Sequence, residues 1–309
     1  ALQDLKGQAL GGAVQFAGGM DVSKLPPGAD HGPAVDVRAS GIATVQGLLQ
    51  AQELGPAVQL ARLAQGQAAY QLRISMARGV PLVDVRSDLQ GMALNLPPPL
   101  QKAAAESWPM HFASSVPESA ASAGQSPVRE TIDFDLAGRA QVRYVREWGA
   151  DAAAPAKVVS GAIRLGTGAL ALPAKGVAAE VDLPRMDVQA WQAALQPLQP
   201  AAGHAAAPSP GQAAARSGSS DIGSSDLATD YLPDHWDVRV GALQVRGIEV
   251  QQLQMRGSRK GDRWSSEERA SLLDGQLDYV QEKGGPGTVR ARLSQLRVDK
   301  KSGDESKAP

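Results

Sequence analysis

Short segments in which apolar and polar residues alternate, each closed by Gly or Pro, dominate the chain. Ala34-Val35-Asp36-Val37-Arg38-Ala39 alternates cleanly, as do residues 70–76 and 82–87, and residues 13–17 precede Gly18-Gly19. A period of two sends successive side chains to opposite sheet faces, so each segment predicts a strand with one apolar and one charged face. A wet face favours antiparallel pairing, because strands buried in parallel sheets read as continuous apolar runs. The rhythm returns at 131–136, 140–145, 158–165 and 176–183, at the intervals of a meander. It returns again at 236–240, 242–247, 248–257, 271–279 and 288–293. Gly284-Gly285 marks the last turn region, and Leu296 and Val298 extend the final strand past a bend at Ser294-Gln295.

Helical patterns are few. Residues 42–65 predict two short helices broken near Gly55-Pro56. Residues 187–195 predict another, with Asp187 as its cap and Val188, Trp191, Ala194 and Leu195 on one stripe. The expected fold is therefore mainly β: a long curved antiparallel sheet, an open groove or tape, with short helices near 45–65 and 187–195. Residues 1–196 form its first segment. Residues 197–229 are rich in Ala, Gly, Ser and Pro and lack the apolar mass to pack, which predicts a linker or surface loop. Residues 114–125 read as a shorter excursion. The sheet continues over 230–299, and 300–309 is a polar tail.

Composition narrows the function classes. Hydrophobic residues make up 43% of the chain but aromatics only 4%, so a core must rely on Leu, Val, Ile and Ala. With 31 Lys plus Arg against 32 Asp plus Glu, the balance excludes a generally basic nucleic-acid binder. Cysteine is absent, which removes disulfides, thiol nucleophiles and thiolate metal sites. No apolar run reaches the ~18 residues of a spanning helix.

Catalytic signatures are missing. His31, His111, His204 and His235 stand far apart, and no metal-ligand spacing joins them. His31 and His204 lie in Gly/Pro-rich stretches, His111 reads as lining a strand, and His235 adjoins Trp236. No serine sits in a Gly-x-Ser-x-Gly elbow. The glycines of 161–168 lack a phosphate-loop pattern and read as turn glycines. Asp133 and Asp135 share the wet face of one strand. Arg38, Arg73, Arg86, Arg143 and Arg164 alternate with apolar residues in the manner of a solvated face. No catalytic residue, cofactor or metal is expected. What remains is the apolar face, which must be covered. Either the sheet closes on itself as a barrel or sandwich, or the face is a groove for an apolar ligand such as an acyl chain.

Residues 82–102 carry a more specific pattern. Leu82-Val83-Asp84-Val85-Arg86 leads into Ser87-Asp88-Leu89-Gln90-Gly91 and then Leu96-Pro97-Pro98-Pro99-Leu100-Gln101-Lys102. A strand, Ser-Asp-Leu-x-Gly and Leu-Pro-x-Pro-Leu-x-Lys in this order resemble the large AsmA-like proteins of the YhdP type in Gram-negative bacteria. Residues 63–70 are similar to that family's approach to the strand. Residues 161–191 resemble its next strand, its Leu172-Pro173 turn and its Leu-Pro-x-Met-Asp-x-x-x-Trp segment at 183–191. Residues 236–250 and 264–277 resemble the strands that follow. The resemblance covers most of the chain outside 197–229.

It implies a periplasmic sheet tape with an apolar inner face, belonging to a protein held in the inner membrane by one helix that is missing here. Relatives of this kind are implicated in moving phospholipids toward the outer membrane and maintaining its barrier. On that footing the chain reads as an interior segment without catalytic residues. Its expected partners are phospholipid acyl chains, neighbouring segments of the same full-length protein and envelope proteins. Leu72, Ile74, Val83, Val85, Ile163 and Leu165 are the candidate groove-lining residues. The alternative is an envelope scaffold whose closed β core packs its own apolar face. An enzyme acting on envelope polymers would need polar groups converging in a pocket.

Overall fold

The computed structural model describes residues 2–21, 34–51, 57–77, 80–116, 128–149, 155–198, 230–271, 273–280 and 287–296. The loop expected at 197–229 falls almost wholly outside them, as do His31, His204, the Gly284-Gly285 turn, Val298 and the 300–309 tail. Among the described residues the chain forms one 16-stranded sheet with a few short helices. The strands are β1 (Leu2–Ala9), β2 (Gly12–Asp21), β3 (Ala34–Thr44), β4 (Ala64–Ala77), β5 (Val80–Ser87) and β6 (Met92–Leu94). Then come β7 (Met110–Ser115), β8 (Val128–Leu136), β9 (Ala140–Trp148), β10 (Lys157–Gly166) and β11 (Gly176–Asp187). The last five are β12 (His235–Val245), β13 (Ile248–Lys260), β14 (Arg263–Arg269), β15 (Leu273–Val280) and β16 (Thr288–Leu296). The order across the sheet follows the sequence, except that β6 pairs only with the start of β4. The sheet does not close, and β1 and β16 are its two edges.

Local chemistry explains the meander. Leu10-Gly11 and Arg246-Gly247 turn with positive φ at both residues, the two-residue hairpin geometry whose twist matches that of the flanking strands. Strand β4 begins earlier than its alternation predicts, at Ala64, because the small residues Ala64 and Ala68 pack on one face beneath Leu89, Met92 and Trp108. Strands β1 and β6 are absent from the sequence reading, and β14 enters it only through the family resemblance over 264–277, not through alternation. In β14, Trp264 is the only large apolar residue of Arg263–Arg269 and gives alternation little to register.

Two pairings depart from the expected antiparallel meander. Strand β11 runs parallel to both β10 and β12. The reason for the first is a local crossover. Residues 167–175 return over the charged face, where the Arg164 guanidinium donates to the carbonyls of Thr167 and Ala169. Ala162, on that same face, is only 2% exposed. The charged face of β10 is thus covered by the crossover 167–175, which carries the chain back so that β11 runs parallel to β10. Gly161 is not a turn glycine. It lies within β10, where a Cβ would stand 2.4 Å from the Tyr144 ring.

Helices α1 (Val45–Gln50), α2 (Ala57–Leu60) and α3 (Val188–Leu195) gather at one end of the strands, here termed the helix end. Thr44 and Asp187 cap α1 and α3 by accepting the Gly47 and Ala190 amides at 3.0 and 2.9 Å. Two clusters of buried side chains lie at this end. One joins Ala64, Ala68, Leu89, Met92, Trp108 and Leu136; the other joins Val14, Ala39, Ala43 and Tyr70. Segment 88–108 folds over the first cluster and is tied by Lys102. The Lys102 ammonium donates to the carbonyls of Leu89 and Met92 at 2.8 Å and of Ala103 at 3.1 Å.

Gly47 lets α1 lie on the β1–β2 turn: a Cβ there would fall 1.9 Å from the Leu10 carbonyl carbon. The obstacle is backbone, which cannot step aside as a side chain can. Gly47→Ala is expected to lower the unfolding free energy by about 2–3 kcal/mol, seen as an earlier midpoint in a denaturant titration.

Candidate functional site

Strand register, followed neighbour by neighbour, traces one row across the sheet. It runs Leu5–Phe16–Ala39–Leu72–Val85–Phe112–Phe134–Val142. It continues Ile163–Ala179–Trp236–Gly257–Ser266–Leu277–Ala291. With neighbouring strands about 4.8 Å apart, the row is about 67 Å long. It contains no ionisable side chain. Most of its side chains are half-buried, whereas Ala39 and Ser266 are buried and Leu5 and Ala291 are exposed.

All six candidate lining residues fall on this face. Leu72, Val85 and Ile163 are in the row itself. Ile74 pairs with Val83 one step toward the end opposite the helices, the far end. Leu165 belongs to a second row one step toward the helix end, Leu136–Ala140–Leu165–Val181–Val238–Met255. The six are therefore spread along one surface rather than gathered in a pocket, and each remains half-buried. In a filled sandwich, inward side chains at mid-sheet would be almost fully buried. Here near-complete burial falls to either side of the row, at Leu183 and Val240 toward the helix end and at Glu130, Tyr144 and Val177 toward the far end, and the row itself keeps mostly half-buried apolar side chains.

The opposite face is charged. One of its rows reads Arg86–His111–Asp135–Gln141–Arg164–Glu180–Asp237–Arg256. Its charges pair with one another: Arg73 with Asp36, Arg86 with Asp84, Arg143 with Asp133, Arg164 with Glu180, and Arg256 with Asp237, and His111 hydrogen-bonds to Asp84. A cleft of about 580 Å³ on this side is bordered by Gln15, Arg38, Arg73, Asp84 and Arg86. Its acids and bases neutralise each other along exposed strands. Among the described residues, no group of three or more His, Asp or Glu comes together.

Two of these acids link the charged face to pH. The Arg73 hydrogen bonds hold the Asp36 carboxyl below its usual range, against the opposing effect of burial. Burial acts to raise Asp84, but the His111 hydrogen bond and Arg86 outweigh it and hold that carboxyl low as well. A carboxylate held low in the folded state stabilises the fold above its unfolded pKa, and that contribution fades as pH falls through the folded value. Acid titration should therefore weaken the protein below about pH 4. The Asp36→Asn variant should lose less stability over that interval than the wild type. The difference is small because the Asp36–Arg73 pair is largely exposed.

The far end of the apolar face carries polar groups that the sequence reading missed. Glu130, 3% exposed, accepts from Arg146 at 2.7 Å and from the Trp148 indole at 2.8 Å. Residues 231–234 reach across from β12 toward β9. The Tyr144 hydroxyl donates to the Tyr231 carbonyl at 2.9 Å, and burial pushes the Tyr144 phenol up to about 12. Arg259 ties the same segment through Pro233 and Asp234. The one advance signal for this cluster was the crowding of Trp and Tyr around 144–148 and 231–236.

The family model described as YhdP protein matches residues 1–309, so the chain belongs to that family. No curated protein and no solved structure matches it.

Proposed function

We propose that this member of the YhdP family is a non-catalytic segment of a periplasmic bridge that carries phospholipid between the inner and outer membranes and so supports the outer-membrane barrier. The acyl chains lie against the apolar sheet face, and neighbouring segments of the full-length protein extend the path to the two membranes. Relatives of this type are held in the inner membrane by a single helix, and the same anchorage is proposed for this one.

One observation carries the reading: the row from Leu5 to Ala291, which crosses the sheet without a charge and with most of its side chains half-buried. Each methylene kept out of water is worth about 0.8 kcal/mol, so a hydrocarbon tail favours such a surface over solvent. An unbroken row lets the tail move between neighbouring strands without crossing a hydrated group. No chemical step is needed, and none of the charged-face groups is assigned one.

The test is site-specific photocrosslinking in the full-length protein within the cell envelope. A photoreactive residue at Val85 should yield phospholipid adducts detected by mass spectrometry. The same residue at Ser40, exposed on the charged face, should yield none. Equal labelling at both positions, or none at Val85, would leave the scaffold reading in its place.

A further inference from the structure

Of the five Trp and four Tyr residues, Tyr144, Trp148, Tyr231, Trp236, Trp264 and Tyr279 gather along the far end of the apolar face, from β9 to β15. Strand register produces this arrangement. Trp148 ends β9, Trp236 is the second residue of β12, and Trp264 pairs directly with Tyr279. Trp236 and Trp264 stand 5.3 Å apart, and Tyr144 meets Tyr231 edge-on at 5.0 Å. Guanidinium groups lie over two of the rings: Arg146 is 5.7 Å from Trp148, and Arg259 is 5.6 Å from Trp264. The helix end of the same face is a closed cluster of Ala, Leu and Met side chains around Trp108. Polar groups therefore rim the far end of the face from β9 to β15, whereas the helix-end cluster on β4 and β8 is apolar.

We infer that the far-end rim seats the headgroup of a glycerophospholipid, and that it favours zwitterionic over anionic headgroups. The inference rests on the lipid reading above and adds an orientation and a selectivity to it. Trp and Tyr combine a broad apolar body with an N–H or O–H, which suits them to the boundary between hydrocarbon and water. Apart from buried Tyr144, these rings are half-buried and keep surface for a ligand. A strand of ten residues spans about 33 Å, room for an acyl chain to run from the rim toward the helices. The rim's charge is balanced: Arg146 pairs with Glu130 and Arg259 with Asp234. Such a rim has no net attraction for an anionic headgroup, while its ring faces accept the quaternary ammonium of a choline. Arg146 also keeps a buried donor, Nε, without a partner.

Native mass spectrometry of the purified full chain tests this with three probes at equal concentration: dioleoyl phosphatidylcholine, dioleoyl phosphatidylglycerol and hexadecanol. Hexadecanol supplies the hydrocarbon tail without a charged headgroup. The wild type should capture phosphatidylcholine more strongly than phosphatidylglycerol, even at low salt. A Trp264→Ala/Tyr279→Ala variant should lose about tenfold in phosphatidylcholine capture and keep its hexadecanol capture. Trp264→Phe/Tyr279→Phe, which retains the rings, should restore most of the loss. Unchanged phosphatidylcholine capture in the alanine variant overturns the inference. So does equal loss of phosphatidylcholine and hexadecanol, which would mark the rings as merely structural, or capture of phosphatidylglycerol by the wild type as strong as that of phosphatidylcholine. Capture of none of the probes by the wild type overturns the lipid reading itself, and this inference with it.

Discussion

A carboxylate placed at Val85 or Ile163 is expected to cut phospholipid capture at least about tenfold while leaving the fold intact. Both residues lie in the row that crosses the sheet, and both are half-buried. In the ligand-free protein the new Asp can keep its water, so the cost to folding is small. Once an acyl chain lies over it, that water is lost. An unpaired carboxylate against hydrocarbon costs several kcal/mol, more than the ~1.4 kcal/mol that corresponds to tenfold in affinity. Ser40→Asp, on the charged face, adds the same charge where no lipid is expected and should leave capture unchanged. Native mass spectrometry of co-purified lipid reads the capture, and circular dichroism with a melting curve reads the fold. If Val85→Asp and Ser40→Asp retained lipid equally, the apolar row would not be the lipid path.

Lys102→Met is expected to produce the largest loss of stability, about 3 kcal/mol, although it preserves most of the side chain's volume. Lys102 is 2% exposed. Its ammonium has three protons, and the structure gives each a backbone carbonyl, those of Leu89, Met92 and Ala103. Methionine fills the space but donates nothing, so three hydrogen bonds from a charged donor, about 1.5–3 kcal/mol each, are lost. The loss is reduced because no ammonium has to be desolvated and because the Leu89 and Ala103 carbonyls still accept the Met92 and Glu106 amides. The damage should be confined to segment 88–108 and the cluster under it around Met92 and Trp108. Trp108 fluorescence, isolated by replacing the other tryptophans with Phe, should report loosening at lower denaturant than a companion protein that keeps only the far-end Trp148, Trp236 and Trp264. A variant as stable as the wild type would show that the three hydrogen bonds contribute little.

Much of this architecture is legible in the sequence, for a definite reason. In β3, β4 and β5 every second residue is apolar, so Leu72, Ile74, Val83 and Val85 are assigned to one face before any register is known. The cap at Asp187 is readable because it depends only on residues three apart. The parallel pairs at β10–β12 are not readable, because alternation describes a single strand and says nothing about how the chain returns to the next one. At β10–β11 that return is 167–175, held by the contacts of Arg164. Lys102 was visible as the last residue of a motif, but a lysine after a proline run reads as exposed. Its burial depends on carbonyls that converge only when 88–108 folds back. The far-end rim was hidden for a related reason: Tyr144 and Tyr231 are 87 positions apart and meet only through the returning segment.

The parallel joint at β10–β12 also has a kinetic consequence. On either side of it, strands are joined mostly by near-neighbour turns, so each half can zip up hairpin by hairpin at little cost in loop closure. The joint cannot form that way. Strand β12 reaches β11 only after the chain from Val188 to Asp234 has been drawn in, and such long-range pairing is slow to nucleate. Refolding should therefore proceed in two stages, two local meanders forming first and then a slower docking that merges them into one sheet. Until that docking is complete, the facing edges of β11 and β12 stand open to foreign strands, which makes this joint the place where misassembly would begin.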